Sequence, residues 1–422
     1  ITYATAPIIE CWSNIKDSPG TRDSRHGISA LHAVQGILAV CRWQTHGAIG
    51  AFRYRQALQR YNDRKKTMMN KLALVAMSAC MGIMPLKTLA WDHPGHMTTA
   101  VIAFTEIEKA RPDLIDKIGL LLIKHPSPAP FWVATVGAKG KERTRRMFIE
   151  ASRWPDDSKF THDDKPTWHT ARWPILADDA PPEARELVNS RKGRPVGNAL
   201  EALALNEGML ANPESQPFER ALALSRMMHI MGDLHQPLHV SDLVSKDFPS
   251  GNAAGALAYV WDPLADSAMP LHILWDSNTR RSTELEDVDG YAQEIMEMYP
   301  RSSLPELSPF KGPESFREWA LESHQVAKDW AYDLDTVPDP DLDADSDRVI
   351  ANMARYILEG VSHVEDAPAV PDEYWENLQR VVPRRMALAG YRIADTILNA
   401  ADELDMEREL SEKIISAMPR MN

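Results

Sequence analysis

The sequence predicts an all-α fold on three observations. Apolar residues recur at steps of three and four through long stretches, alternating strand-like runs with hairpin dipeptides are scarce, and the connections are rich in Pro and Asp. The helical pattern first appears in Val101-Ile-Ala-Phe-Thr-Glu-Ile-Glu-Lys-Ala. It returns from Phe218 to His235, Ser315 to Tyr332, Ser346 to Glu359 and Tyr374 to Leu398. Between these lie Pro126-Ser-Pro-Ala-Pro130 and the acidic run 339–347, which read as exposed loops. The acidic run lacks the glycine and terminal glutamate of a calcium-binding loop, so it is expected to be a solvated turn. Residues 402–422 read as an acidic tail with a short amphipathic helix. No repeat period, heptad pattern or glycine-rich phosphate loop is present in the sequence.

Charge divides the chain unevenly. Residues 1–90 carry 12 Lys or Arg and 4 Asp or Glu, so 91–422 carries 35 and 56, a formal charge of −21 against −13 for the whole. Such an acidic body argues against broad electrostatic capture of nucleic acid, though not against a small cationic pit that reads one phosphate at a time. The three cysteines, Cys11, Cys41 and Cys80, all precede residue 91. Any metal site further on must therefore use nitrogen and oxygen ligands.

Residues 68–90 read as a secretory signal peptide: Met-Met-Asn-Lys, an apolar run from Leu72 to Met84, then small residues at Thr88 and Ala90 before Trp91. The run is short and interrupted for a stable membrane span, and the mature protein is expected to be secreted or periplasmic. Two alternatives stay open, a lipid-bearing Cys80 after Met77-Ser-Ala and a buried apolar helix. Residues 1–67 show no sustained periodicity and are expected to be a dispensable leader or upstream sequence, with a small separate domain as the alternative.

The chemistry concentrates in His229-Ile-Met-Gly-Asp233-Leu-His-Gln-Pro-Leu-His239. His229 and Asp233 are four apart, so a helix puts both on one face. His239 follows Pro237, where the helix should end and the chain can fold a third ligand back. His272 and Asp276 repeat the four-residue step, and the repetition makes zinc the leading reading. His93, His125, His162, His235, His324 and His363 are read as surface or hydrogen-bonded residues, with His235 supporting the cluster from outside it. Trp154, Trp168, Trp275 and Trp319 are read as packing, and Gly251-Asn252 as a turn near the cleft.

In chain order these motifs follow Trp91-Asp-His-Pro-Gly-His96, Ala151-Ser-Arg-Trp-Pro-Asp156 and Trp168-His169, and that series resembles the S1/P1 nuclease family, relatives of the zinc-dependent bacterial phospholipases C. The resemblance covers about 91–401 and implies a single multi-helix domain of the phospholipase C/P1 nuclease type that holds three Zn2+ ions and hydrolyses phosphodiesters. It implies that Asp156, His169, His229 and Asp233 bind one zinc; that Trp91, through its free amine and carbonyl, binds a second with His96 and Asp233; and that His239, His272 and Asp276 bind the third. Imidazole and carboxylate suit zinc, and zinc supplies an activated water and charge stabilisation for in-line displacement at phosphorus. Cleavage before Trp91 would expose the liganding amine. Lys159 stands where the family carries a cation, and is nominated for electrostatic stabilisation of the transition state.

The resemblance further implies a monomeric endonuclease that cuts single-stranded DNA or RNA to 5′-phosphorylated products, with 3′-nucleotidase activity. Arg172 departs from the pattern. The family carries an aspartate there to orient the attacking water, and an arginine can instead contact a substrate phosphate. A phospholipase C-like activity and a zinc-binding relative with weakened catalysis are therefore kept as alternatives.

Overall fold

The computed structural model describes residues 92–417 apart from 160, 264–265, 280–281, 345–347 and 361. Residues 1–67, read as a leader, residues 68–90, read as a signal peptide, and Trp91 lie outside the described residues. Asp92 opens the first helix, α1 (His93–Ala110), by accepting the Gly95 N–H at 3.3 Å, and Pro94 sits in the first turn where its missing donor costs nothing. After α2 (Leu114–Leu122) and α3 (Ala129–Ala134), the long α4 (Gly140–Asp157) ends just beyond Asp156. A short strand β1 (Trp173–Leu176) and helices α5 (Pro182–Ser190) and α6 (Ala199–Ala211) lead to α7 (Pro217–His235).

The central helix of the fold is α7. A reciprocal box between Gln216 and Glu219 opens it, and every residue from Met227 to His235 is buried. A helix apolar or buried on all sides must be surrounded, and α1, α2, α4, α6 and later helices pack around this one. Pro237 stops it, as the sequence predicts, and a single 3-10 turn over Pro237–Val240 follows.

Short strands then lead to the helix that carries His272 and Asp276. β2 (Ser241–Val244) starts directly after that turn and pairs in parallel with β1, Trp173 opposite Ser241. β3 (Ala258–Asp262) and β4 (Ser267–Pro270) are antiparallel, and β4 runs straight into α8 (Leu271–Asp276). After α9 (Leu285–Met298) and α10 (Pro313–Val326), the two-residue β5 (Val337–Pro338) adds to β3. Then come α11 (Arg348–Glu359) and the long α12 (Asp372–Ala417). All-α remains the right class, because the strands are two to five residues long and serve as connections between helices.

Helix α12 lies closely along α1. A side chain on Gly390 would bring its Cβ within 2.6 Å of Ile102, so glycine there lets the two helices approach. One charged network is buried behind α7. Arg385 and Arg392 of α12 are each 2% exposed and both meet Glu322 of α10, Arg392 at 2.7 Å, while Arg392 also donates to His235 Nε2 at 2.9 Å. The acidic run is less solvated than its composition predicts: Asp339 is buried and accepts from His363 at 2.8 Å, which gives that charge a partner.

Burial would raise the Glu322 carboxyl, but Arg385 and Arg392 outweigh it and hold it at about 2. A folded-state value below the unfolded one stabilises the fold above the unfolded value of about 4.5, and that contribution is lost as pH falls toward about 2. Glu322→Gln is expected to lower stability by roughly 3 kcal/mol near neutral pH, because two buried guanidinium groups lose their anion. Urea unfolding at pH 7 and pH 3 checks this, with the difference between wild type and variant shrinking at the lower pH.

Candidate metal centre

Ligand-type side chains converge where α7 packs on α4. The His96 ring stacks on the His229 ring at 3.8 Å, and its Nε2 lies 3.3 Å from Asp233 Oδ1. His229 Nε2 stands 3.5 Å from Asp156 Oδ1 and 3.4 Å from Asp233 Oδ2. His169, on the loop after α4, brings Nδ1 to 3.0 Å from Asp233 Oδ2 and 3.8 Å from Asp156 Oδ1. Beside this group, His272 Nε2 is 3.1 Å from Asp276 Oδ2, and His239 Nε2 is 3.8 Å from Asp276 Oδ1. His239 Nδ1 also comes within 3.8 Å of Asp233 Oδ1, so the two halves adjoin.

Backbone carbonyls aim the rings. A carbonyl can only accept, so each ring nitrogen that meets one carries the proton there. His229 Nδ1–H donates to Ser152 O at 2.9 Å, His239 Nδ1–H to His169 O at 2.8 Å, and His272 Nδ1–H to Ala254 O at 2.7 Å. Each of the three Nε2 atoms is thereby turned toward the carboxylates, and the neutral ring carries there the lone pair a metal ligand requires. Burial would lower His229 and His272, but Asp233 and Asp156 raise the first and Asp276 the second. Burial keeps His96 and His169 well below the usual imidazole range and brings His239 to about 4, so these rings are neutral.

The carboxylates tell the same story from the other side. Asp156 and Asp233 have side chains with 0% exposure, and Asp276 only 5%. Burial and the neighbouring Asp156 and Asp276 push Asp233 well up, whereas Lys159 and His229 hold Asp156 down against its own burial. Lys159 Nζ reaches Asp156 Oδ1 at 2.7 Å, which brings the nominated cation to the cluster. Both nitrogens of His96, Asp156 Oδ2, Asp233 Oδ1, His239 Nε2 and Asp276 Oδ2 are buried and make no hydrogen bond. Buried polar atoms are nearly always satisfied, so this concentration at one point calls for a cation.

Among the described residues, three groups of ligand atoms, each within 4.8 Å of one another, could hold a metal ion: His96, Asp156 and His229; His169, His229 and Asp233; His239, His272 and Asp276. They contain all eight described residues of the nine expected from the sequence. Trp91, the ninth, lies outside the described residues. Its neighbour Asp92 donates its N–H to Asp276 O at 3.2 Å and accepts from Thr279, which ties the start of α1 to the cluster. An all nitrogen and oxygen donor set of neutral imidazoles and carboxylates fits Zn2+.

Residues 91–402 match the S1/P1 Nuclease family. The chain belongs to that family. Endonuclease 2 of Arabidopsis thaliana is 24% identical over 225 residues, which span 50% of this chain and 62% of the relative. Nuclease S1 of Aspergillus oryzae is 23% identical over 327 residues, 76% of this chain and 95% of the relative. As an S1/P1 nuclease family member, the chain is a hydrolase acting on phosphodiester bonds. Among the described residues no helix is long and apolar enough to cross a membrane.

Within this S1/P1 site, several residues that the motif reading passed over hold the ligands. Gln236 donates from Nε2 to Asp276 Oδ1 at 2.7 Å while its Oε1 accepts the Leu238 N–H at 2.5 Å, so one buried amide fixes both the ligand and the turn. Its place between Asp233 and His239 was the available signal. Asp242 pairs with Arg172 at 3.4 Å, the guanidinium that the sequence placed near a substrate phosphate. His235 is a structural residue, donating to Met231 O at 2.7 Å and accepting from Arg392. The turn 251–255 is strained, with Ala253 at φ 51° and Ala254 at φ 62°, a conformation that costs an L-residue roughly 1 kcal/mol each.

Gln236→Leu is expected to cost about 2 kcal/mol, since Asp276 Oδ1 and the Leu238 N–H both lose their buried partner. Urea unfolding of the metal-free protein measures it without interference from bound ions.

Proposed function

We propose that the chain is a secreted, monomeric, zinc-dependent phosphodiesterase that cuts single-stranded DNA or RNA to 5′-phosphorylated products and also hydrolyses 3′-nucleotides. The observation that carries this reading is the set of buried imidazole and carboxylate atoms left without hydrogen bonds around Asp156, Asp233 and Asp276. Three Zn2+ ions would be held by Asp156, His169, His229 and Asp233; by Trp91, His96 and Asp233; and by His239, His272 and Asp276. Both relatives named above are nucleases, which favours nucleic acid as substrate.

Zinc, when bound, supplies an activated water and neutralises phosphate charge. The chain's own residues do the rest. Asp233 faces both His96 and His169, which suits a carboxylate shared between two ions. Lys159 pairs with Asp156, and its ammonium would offset charge that develops on the phosphate oxygens. Signal cleavage before Trp91 would complete the site with a free amine, so maturation and activity are coupled.

A lipid phosphodiester is the second reading, favoured by three exposed side chains close in sequence: Trp132 at 59%, Val133 at 75% and Val136 at 78%. Exposed apolar side chains of this kind would suit contact with a lipid surface.

Purified 91–422 is expected to carry three zinc ions per chain and to cleave single-stranded DNA, RNA and 3′-AMP, with phosphatidylcholine untouched. Fewer than two zinc per chain contradicts the cluster, and lipid cleavage alone favours the second reading. Asp233→Asn is expected to reduce turnover by at least about a hundredfold. An extra Ala before Trp91 should lower both zinc content and turnover; unchanged values refute the amine ligand.

A further inference from the structure

Four of the five residues in the turn 251–255 have positive φ: Gly251 at 101°, Ala253 at 51°, Ala254 at 62° and Gly255 at 85°. Two consecutive alanines adopt this conformation only where their surroundings impose it. Two side chains do so from inside the turn. Asn252 Oδ1 accepts the N–H groups of Leu243 and Gly255, both at 3.1 Å, and the Tyr332 hydroxyl at 3.2 Å. Asp242 Oδ1 accepts the Ala254 N–H at 3.3 Å. Gly251 is glycine for the same reason, since a Cβ there would stand 2.8 Å from the Asp242 carboxylate.

The outer edge of this turn grips His272. Ala254 O accepts His272 Nδ1–H at 2.7 Å, and Gly255 O accepts the His272 backbone N–H at 3.3 Å. A single residue therefore separates a carboxylate from an imidazole: Asp242 accepts the N–H of Ala254 and His272 donates to its carbonyl. Arg172 completes the chain, its NH1 lying 3.4 Å from Asp242 Oδ2. Asp242 is only 7% exposed, so an uncompensated charge there would be costly.

We propose that the Arg172–Asp242 ion pair is a positioning device for His272, shaping the left-handed turn 251–255 so that its carbonyl fixes the ring that faces the metal. This rests on the reading of His239, His272 and Asp276 as a zinc site. Neither residue touches substrate in this role. Arg172, three positions after His169, and Asp242, three positions after His239, come together because β1 and β2 run in parallel from those two histidines.

The test uses the full chain loaded with Zn2+ and, separately, with Co2+, comparing wild type, Asp242→Asn and Arg172→Gln. Graded chelation is expected to remove one zinc per chain about tenfold more readily from Asp242→Asn, with retention of the others unchanged, and with a smaller shift of the same kind in Arg172→Gln. The visible absorption of the Co2+ form should change in intensity for that one ion. Adding Ala254→Gly to Asp242→Asn should recover part of the affinity, because glycine reaches the left-handed conformation without being held. Wild-type zinc retention and an unaltered Co2+ spectrum in both variants would overturn the proposal. So would a uniform loss of all bound zinc, which would make Asp242 a general stabiliser. A wild-type chain that binds no zinc overturns the metal reading and this proposal with it. Should Asp242→Asn fail to fold, Arg172→Gln alone decides between the outcomes.

Discussion

Two carboxylates that share a fully buried site cannot both keep their charge unless a cation stands between them, and the fold around Asp156 and Asp233 is built on that constraint. Both side chains are fully enclosed, with Lys159 as the nearby ammonium. One lysine does not balance Asp156, Asp233 and Asp276 together. His96, His169 and His239 offer lone pairs instead of charge, since burial keeps these rings neutral. Divalent ions are what this donor set lacks, and binding them would convert buried, unsatisfied atoms into ligands.

The rest of the architecture delivers those atoms and keeps them in place. Helix α7 can carry His229 and Asp233 through the interior because other helices cover it on every side. Helix α4 carries Asp156 in its last turn, Pro237 turns the chain so that His239 folds back, and β4 feeds directly into the short helix of His272 and Asp276. Carbonyls from Ser152, His169 and Ala254 set the tautomers. These supports come from distant parts of the chain, which is why the ligand rings can be specified to within a hydrogen bond although they sit on separate elements. Behind them, the Glu322 network ties α10 and α12 to His235 at the end of α7.

Much of this was legible in the sequence because it is periodic or ordered. The four-residue steps of His229 with Asp233 and of His272 with Asp276 are properties of any helix, and the structure places both pairs on helices. Pro237 marks a boundary wherever it occurs in such a pattern. The supports were harder to see. Ala253 and Ala254 carry no signature of a left-handed turn, because the cause lies in Asp242 and Asn252 and not in the alanines themselves. Arg172 read as a substrate contact because its counterion belongs to another strand, and Asp339 read as solvated because its partner His363 is 24 residues away. Short strands such as Val337–Pro338 have too few residues for an alternating pattern to register.

Thermal unfolding with and without a chelator tests most directly whether the buried cluster depends on cations. If it does, exhaustive chelation lowers the melting temperature by several degrees or more, and stoichiometric Zn2+ restores it while Mg2+, a poor partner for imidazole, does not. An identical melting temperature for the native, chelated and zinc-reloaded protein would contradict that dependence.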